Sequence, residues 1–419
     1  MSMPVRTLYP HAYEARLENG LRILIEEAPQ SRSVSVGVWV HAGSRDDPPA
    51  LHGLSHFIEH LTFKGTATRD ARTLSHAIDA VGGTINAATA KESTFYYADV
   101  PSDGWETALD ILSDLTLRPA LAATDVDLER NVILEEIRGH LDDPEQTAYD
   151  LFNEDVWGEG HPVARSIVGS MEAIESVRRE DVLAYHHQYY RPDNMVLAMS
   201  GRICARRVVD RAAEVFSRPN GALLTAPKRI PSRFHPVHTH HERPTGMMHI
   251  YMGGSGPTAS DDDRIPLEVV NSILGDGTSS RLFNAIRETR GLAYVITSYV
   301  SSFSDGGVWM TYAGTAPQNA ATVIELIQDE FRQLLRLPIP EAELQLAKAK
   351  LRGHLILALE SNAHRASRLA NAAIHDREIL SPDELLARLD AVTCDSAQTV
   401  LNTYLCLDQL SITTIGPST

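Results

Sequence analysis

Apolar residues along this chain follow two periods, which alternate from one segment to the next. A period of two residues predicts β-strands, and a period of three to four residues predicts helices. Together they predict a protein that contains both. The predicted strands cover residues 13–27, 34–41, 84–90, 93–100 and 195–200. The predicted helices cover 54–64, 71–81, 104–117, 124–141 and 202–216, with two more before Arg191.

Two of the predicted strand segments carry a more specific expectation. Residues 13–27 are expected to form a hairpin that turns at Asn19-Gly20, a dipeptide typical of tight turns. Residues 34–41 read Val-Ser-Val-Gly-Val-Trp-Val-His. Because apolar and polar residues alternate there, we expect a strand that is buried on one face only.

The second half of the chain repeats features of the first. The tetrapeptide Arg138–Leu141 recurs as Arg352–Leu355, at an offset of 214 residues, and residues 193–201 are echoed by 408–416 at an offset of 215. Several matches in one register predict a duplicated domain. A stretch with several prolines separates the halves. We therefore expect two homologous domains, 1–217 and 237–419, joined by a linker at 218–236.

The composition is that of a globular protein. The 419 residues are 43% hydrophobic and 22% charged, and the length suits two to three domains. No apolar run approaches the roughly 18 residues of a membrane span, and the first residues show no signal-peptide pattern. Three scattered cysteines, Cys204, Cys394 and Cys406, fit a reducing compartment. We expect a cytoplasmic protein without a membrane partner.

The charge balance limits the partners further. With 38 Lys and Arg against 55 Asp and Glu, the net charge is −17. A strongly acidic protein is not expected to bind nucleic acid or an anionic membrane. The charge permits a basic substrate, although an acidic surface also serves solubility alone.

A possible metal site lies in the predicted helix at 54–64. His56, Glu59 and His60 form the pattern His-x-x-Glu-His, with apolar residues around them at helical spacing. Residues four apart share one face of a helix, so both imidazoles can bind one zinc ion. A carboxylate at Glu59 can take a proton from a water at the metal. The pattern is the reverse of His-Glu-x-x-His. Two histidines on a helix face also occur without a metal, so the pattern alone leaves both interpretations open.

The predicted helix at 124–141 carries several glutamates. Glu129 and Glu136 are two turns apart and share a face, whereas Glu135 points about 100° away from Glu136. The repeat offset compares these positions with the second half. At an offset of 214, the positions of His56, Glu59, His60 and Glu136 correspond to three apolar residues and a lysine. In the same order these are Val270, Ile273, Leu274 and Lys350. If the halves are copies, only the first keeps the polar cluster.

Taken together, these motifs resemble the pitrilysin family of zinc metallopeptidases. The similarity is to its shorter branch, which includes mitochondrial processing peptidase and bacterial processing-protease-like proteins. It covers nearly the whole chain in order. The motifs are Gly53–His60 with Phe63–Thr66, Asn86–Thr89 with Glu92–Tyr97, Glu129–Glu136, Ser279–Phe283 and Arg287–Tyr294. The resemblance implies an α+β fold of two homologous domains, each a mixed, mainly antiparallel sheet covered by helices.

The resemblance also implies a site. One Zn²⁺ per chain would be bound by His56, His60 and Glu136, which leaves a fourth position open for water. Glu129 would support the site, and Glu59 would act as the general base. Taken without the resemblance, a glutamate-rich helix is more often a solvated face. The other candidates, set aside, are Glu135, His41, His52 and His140. A separate cluster could suggest a second metal, which is not expected there: His235, His238, His240 and His241.

Substrate-binding residues follow from the same resemblance. Arg287 and Tyr294, in the second domain, would contact the substrate and the tetrahedral intermediate as electrostatic partners. Asn86, Ala87 and Ala88 would form an exposed sheet edge to which an extended peptide adds as a strand. The ordinary alternatives for Arg287 and Tyr294 are a helix-surface arginine and a half-buried tyrosine.

The expected function is therefore a zinc-dependent endopeptidase that cleaves extended peptides or presequence-like segments. One alternative is a non-catalytic or partner subunit of a heterodimeric processing protease. Another is a metallohydrolase of a non-peptide substrate. Longer relatives carry four such domains in one chain, so two chains are expected to assemble here. A homodimer is expected, with a heterodimer with a homologous subunit as the alternative.

Overall fold

The computed structural model describes residues 4–217 and 229–418, which form two β-sheets surrounded by helices. The strands are β1 Val5–Tyr9, β2 Ala12–Arg16, β3 Arg22–Glu27, β4 Ser33–Val40, β5 Thr84–Thr89, β6 Thr94–Pro101, β7 Met195–Gly201, β8 His238–Glu242, β9 Met248–Gly256, β10 Ala293–Ser302, β11 Gly307–Thr315 and β12 Ser411–Gly416. The helices are α1 Leu54–Thr62, α2 Ala71–Ala80, α3 Trp105–Leu117, α4 Ala123–Asp142, α5 Pro144–Trp157, α6 Met171–Ser176, α7 Arg179–Tyr189, α8 Ala205–Val215, α9 Arg264–Leu274, α10 Ala320–Arg336, α11 Glu341–Ala358, α12 Asn362–Ile374, α13 Pro382–Asp390 and α14 Cys394–Tyr404. A π-helical turn covers Phe283–Glu288.

The chain divides into two compact units. Unit 1 comprises Met1–Arg138, Ser166–Arg229 and Leu357–Ser381, and unit 2 comprises Gly139–Arg165, Ile230–Ile356 and Pro382–Thr419. Each half of the chain therefore contributes one segment to the unit built mainly from the other half. The contiguous ranges 1–217 and 237–419 differ from the units by these segments. Their assignment as a catalytic and a non-zinc domain stays a prediction, and residues 218–228 of the expected linker lie outside the described residues.

Five strands follow the same order in both sheets, which confirms the predicted fold class. Unit 1 has the order β1-β2-β3-β7-β4-β6-β5, and unit 2 has the order β10-β11-β9-β12-β8. Read from its other edge, the second sheet repeats β3-β7-β4-β6-β5 of the first. In both, the first pair is parallel (β3 with β7, β8 with β12) and the next three pairs are antiparallel. Both sheets are therefore mixed and mainly antiparallel.

The prediction for residues 34–41 is wrong in one respect, because β4 is buried on both faces. Every residue from Val34 to Val40 is buried. One face packs in the main core of unit 1, and the other carries Trp39, which packs with α12 in a second cluster. Helix α12 is more than 300 residues away in sequence, so the local pattern of residues 34–41 cannot predict that this helix covers the second face.

The other predicted elements agree closely with the structure, with two differences. The hairpin of β2 and β3 pairs Arg16 with Arg22 around the predicted turn. Between α4 and Arg191 the described chain has three helices, α5, α6 and α7, where two were predicted. The helix predicted at 202–216 begins later, at Ala205. Within the described ranges, no helix is long and apolar enough to cross a membrane.

The packing of α12 on the unit 1 sheet can be tested by removing one side chain. Leu369 is fully buried in this cluster. We expect Leu369→Ala to lower the free energy of unfolding by about 2–5 kcal/mol, because it leaves a cavity between helix and sheet. Urea denaturation followed by circular dichroism measures the change. The matched control is Leu357→Ala, whose side chain is 71% exposed and should change stability by less than about 0.5 kcal/mol. Equal effects of the two substitutions would contradict this packing.

Candidate metal centre

Helix α1 is held at its start by a buried carboxylate. Asp47 accepts hydrogen bonds from the backbone N–H groups of Gly53, at 2.8 Å, and Ser55, at 3.0 Å. These N–H groups at a helix start have no partner within the helix, so Asp47 takes the part of a capping residue. Gly53 has φ of +95°, and a Cβ there would lie 2.8 Å from the backbone at Gly169. Only glycine fits, and the entry of α1 is therefore fixed.

The apolar face of α1 turns the histidines to one side. Phe57, Ile58 and Leu61 are fully buried in the unit 1 core. Because side chains four apart share a face of the helix, His56 and His60 emerge together beside that core. Their ring centroids lie 4.6 Å apart.

Helix α4 brings the carboxylates to the same place. Its residues Ile133 and Ile137 are buried in the core, as is the side chain of Glu129. Glu136, two turns after Glu129, faces both imidazoles. His56 Nε2 lies 3.6 Å from Glu136 Oε1, and His60 Nε2 lies 3.7 Å from Glu136 Oε2. The structure thus brings the three predicted ligands together.

The three side chains have the spacing that a zinc ion needs. One possible ligand atom from each of His56, His60 and Glu136 lies within 4.8 Å of the other two. Two ligands about 2.1 Å from a tetrahedral zinc are about 3.4 Å apart, close to the N–O distances observed. Burial, with a smaller contribution from the neighbouring His60, lowers the pKa of His56 to about 3, so that this ring is neutral at pH 7. Neutral imidazole is the form that binds a metal.

Glu129 and Lys64 hold His60 in orientation. His60 Nδ1 lies 2.8 Å from Glu129 Oε1, and since the carboxylate can only accept, Nδ1 carries the proton. This leaves His60 Nε2 free toward Glu136. The other oxygen of Glu129 pairs with Lys64 Nζ at 2.5 Å. A carboxylate behind a metal-binding histidine fixes its tautomer and raises its basicity. The family resemblance described above implied this supporting position for Glu129 and implied no part for Lys64.

Glu59 lies beside these residues with its carboxylate anchored. Thr89 Oγ1 donates a hydrogen bond of 2.6 Å to Glu59 Oε2. Burial raises the pKa of Glu59, whereas the hydrogen bond from Thr89 and the nearby His60 oppose that rise, and Glu136 adds to it. A carboxylate with a raised pKa accepts a proton more readily. Thr89 lies in the motif Asn86–Thr89, but the predicted site included no part for it.

Asn86, Ala87 and Ala88 lie in β5, which is the last strand of the unit 1 sheet and has an unpaired edge within it. Asn86 Oδ1 accepts a hydrogen bond of 2.8 Å from the N–H of Ala87. The asparagine therefore satisfies one backbone donor of this strand.

Arg287 and Tyr294 form a pair within unit 2. The guanidinium of Arg287 lies 5.8 Å from the ring centroid of Tyr294 and 5.0 Å from that of Phe283. Tyr294 is in β10, an edge strand, and is 73% exposed. The guanidinium is therefore within cation–π distance of two rings.

The candidates set aside have other partners or lie elsewhere. Glu135 pairs with Arg138, His140 Nε2 lies 2.7 Å from Asp150, and His241 Nε2 lies 3.0 Å from Asp155. Within 4–217 and 229–418, His56, His60 and Glu136 are the one group with metal-ligand geometry. The histidines of β8 therefore form no such group.

The equivalent positions of unit 2 are apolar or ion-paired. Val270, Ile273 and Leu274 are buried in the core of that unit. Lys350, at the offset position of Glu136, pairs with Asp276 at 2.7 Å. The same fold thus has no metal-ligand set at this place in unit 2.

Comparison with known sequences identifies the family. Residues 22–170 match the family described as "Insulinase (Peptidase family M16)", and residues 176–351 match "Peptidase M16 inactive domain". Together they span most of the chain. The chain belongs to peptidase family M16, the pitrilysin family. The match to the inactive domain begins within unit 1 and extends over most of the unit 2 segment 230–356, where the ligand set is replaced.

Relatives from several bacteria are similar over nearly their full length. An uncharacterized zinc protease of Mycobacterium leprae is 38% identical, over 93% of this chain and 88% of its own. The uncharacterized zinc protease YmxG of Bacillus subtilis is 33% identical, over 96% and 97%. Among solved structures, a protease from Helicobacter pylori has a TM-score of 0.91 at 21% identity, with both chains fully covered. A Pseudomonas fluorescens structure described as a peptidase M16 inactive domain has a TM-score of 0.90 at 22% identity, over 97% and 98%. These structures share the M16 fold.

The ligand geometry generates a graded prediction for metal affinity. We expect Glu136→Gln to weaken zinc binding most, because it removes a charged ligand. Glu129→Gln should weaken binding by about 10–100-fold, because it removes the partner of His60. The matched control is Glu135→Gln, whose side chain is exposed and faces away. Titration against a chromophoric chelator measures the affinities. An unchanged affinity in Glu136→Gln would remove Glu136 from the ligand set.

Proposed function

We propose that this M16-family chain is a zinc-dependent endopeptidase that cleaves extended peptides or presequence-like segments. The observation that carries the proposal is the convergence of His56, His60 and Glu136 beside the anchored carboxylate of Glu59. The zinc-protease names of the relatives support the same activity. Two imidazoles and one carboxylate are the ligand set of many catalytic zinc sites, which keep one position open.

Each residue has a distinct part in the proposed reaction. A bound zinc supplies a Lewis acid that polarises the scissile carbonyl and lowers the pKa of water. Glu59 takes the proton from the attacking water and passes it to the leaving amine. Glu129 and Lys64 keep His60 in the tautomer that faces the metal. Glu59 accepts the proton more readily because burial raises its pKa.

The proposed substrate is an extended segment, because the candidate binding edge is a β-strand. A peptide that pairs with β5 at Asn86–Ala88 must be unfolded over several residues. Backbone pairing is tolerant of sequence, so unstructured peptides are the natural class of substrate and stably folded proteins are excluded.

The alternative function, a non-catalytic partner subunit, requires a chain whose site is incomplete. Here the ligand geometry in unit 1 is complete, and this favours the peptidase over the partner subunit. The peptide assay below distinguishes the proposed peptidase from a metallohydrolase of a non-peptide substrate. The homodimer, the heterodimer and the cytoplasmic location stay predictions.

The first prediction for activity concerns the base. We expect Glu59→Gln to retain fold and zinc but to lose peptide cleavage by about 10²–10⁴-fold, because the amide cannot accept the proton. Mass spectrometry measures the cleavage of an unstructured peptide library. The assay is run without chelator, with chelator, and again after zinc is added back. Glu135→Gln serves as the control. Cleavage that persists in the presence of chelator would overturn the proposed mechanism. An unchanged rate of cleavage in Glu59→Gln would also overturn it.

The second prediction concerns the aromatic-stacked arginine of unit 2. We expect Arg287→Ala and Tyr294→Phe to lower turnover of the same peptides while zinc content stays unchanged, because their contribution is to substrate and developing charge. Steady-state kinetics with metal analysis measures both. Arg332→Ala, at a half-exposed arginine on α10 of unit 2, is the matched control. Unchanged kinetics in both test variants would leave the pair without a catalytic part.

A further inference from the structure

Thr89 links the edge strand of the unit 1 sheet to the carboxylate of Glu59. It is the last residue of β5, and its hydroxyl lies 2.6 Å from Glu59 Oε2. Side chains alternate along a strand, so Thr89 shares a face with Ile85 and Ala87. Both of these pack against the core of unit 1. The hydroxyl therefore faces inward, where Glu59 lies, by the register of the strand.

The backbone at Thr89 is fixed by the turn that follows it. Ala90 donates to Ser93 O at 2.8 Å, and Ala90 O accepts from the N–H of Ser44 at 3.0 Å. In the same turn, the side chain of Glu92 is 4% exposed and pairs with Arg45 Nη1 at 2.7 Å. Such a buried, charge-assisted contact restricts the turn. Thr89 consequently presents its hydroxyl from a rigid position.

Thr89 contacts the Glu59 carboxylate through two donors, its hydroxyl and its backbone N–H, of which the hydroxyl lowers the pKa of Glu59 more. The bond from the hydroxyl to Oε2 restricts rotation of the Glu59 carboxylate. A side chain that is held by a neighbour loses less freedom in the reaction than one that is not. Without the hydroxyl, the carboxylate can turn toward other positions, and fewer molecules have it in the productive one.

We propose that Thr89 is the positioning residue of Glu59, so that the strand edge that receives the peptide also sets the orientation of the base. The inference rests on the proposed function, since it names a further residue of the same site. Nothing is transferred to or from Thr89 in the reaction. Its hydroxyl donates a hydrogen bond throughout, and the proton of the attacking water goes to Glu59.

The test compares two substitutions that differ in the hydroxyl. Thr89→Val keeps the shape of the side chain and removes the donor, and Thr89→Ser keeps the donor. We expect Thr89→Val to lower kcat by about 10–100-fold with KM and zinc content unchanged. Thr89→Ser should stay within about threefold of the parent. The matched control is Thr84→Val, an exposed threonine at the start of the same strand, which should behave as the parent.

The outcomes separate the positioning residue from a merely structural one. Unchanged kcat in Thr89→Val, or a loss that Thr89→Ser shares, would overturn the proposal. So would a loss explained by missing zinc. In a Glu59→Gln background, Thr89→Val should cause no further loss, because its effect passes through Glu59. A further loss there would also overturn it.

A crystallographic readout keeps the test independent of peptidase activity. In metal-free crystals, Glu59 should keep one position, within hydrogen-bond distance of residue 89, in the parent and in Thr89→Ser. It should leave that position in Thr89→Val. If the parent cleaves no peptide, the proposed function fails, whereas this structural comparison still decides whether Thr89 positions Glu59. An unmoved Glu59 in Thr89→Val would contradict the inference.

Discussion

The spacing between α1 and α4 is the constraint on which the unit 1 site depends. Two imidazoles come from one helix and the carboxylate of Glu136 from another, 76 residues after His60. The N–O distances of 3.6 and 3.7 Å leave little room for either helix to shift. The surrounding contacts maintain this spacing: Asp47 fixes the start of α1, and Glu129 joins the two helices through His60. Burial of the Asp47 and Glu129 carboxylates is tolerated because both have hydrogen-bonding or charged partners.

The duplicated sheets show how little of the chemistry is set by the fold. Both units have the same order of five strands and place a helix at the position of α1 and another at that of α4. In unit 2 the offset position of Glu129 is Glu343, which is retained but paired with Arg281 at 2.7 Å. Lys350 replaces a ligand, and apolar residues replace the histidines. A shared backbone therefore supports a metal-ligand set in one unit and an ion-paired, apolar arrangement in the other.

Helix α12 has a structural part in unit 1 that its sequence position conceals. Besides its apolar contacts, it supplies Arg365 and Arg368, both 2.7 Å from the buried carboxylate of Glu26 in β3. A buried carboxylate without these partners would be strongly destabilising, so the sheet of unit 1 depends on a segment about 340 residues away. The exchange of segments between the halves makes each compact unit discontinuous in sequence.

Local pattern alone determined much of this protein. Alternation located the hairpin of β2 and β3, and the four-residue spacing placed His56 and His60 on one face, because both are properties of neighbouring residues. The common fold could be inferred from matches in one register. Tertiary structure decided the rest. The second face of β4 is buried because α12 covers it, and which carboxylate faces the imidazoles depends on how α4 packs. The bond from Thr89 to Glu59 joins residues 30 apart through strand register, which no local pattern records. Sequence periodicity determines which side chains share a face, whereas only packing determines what that face meets.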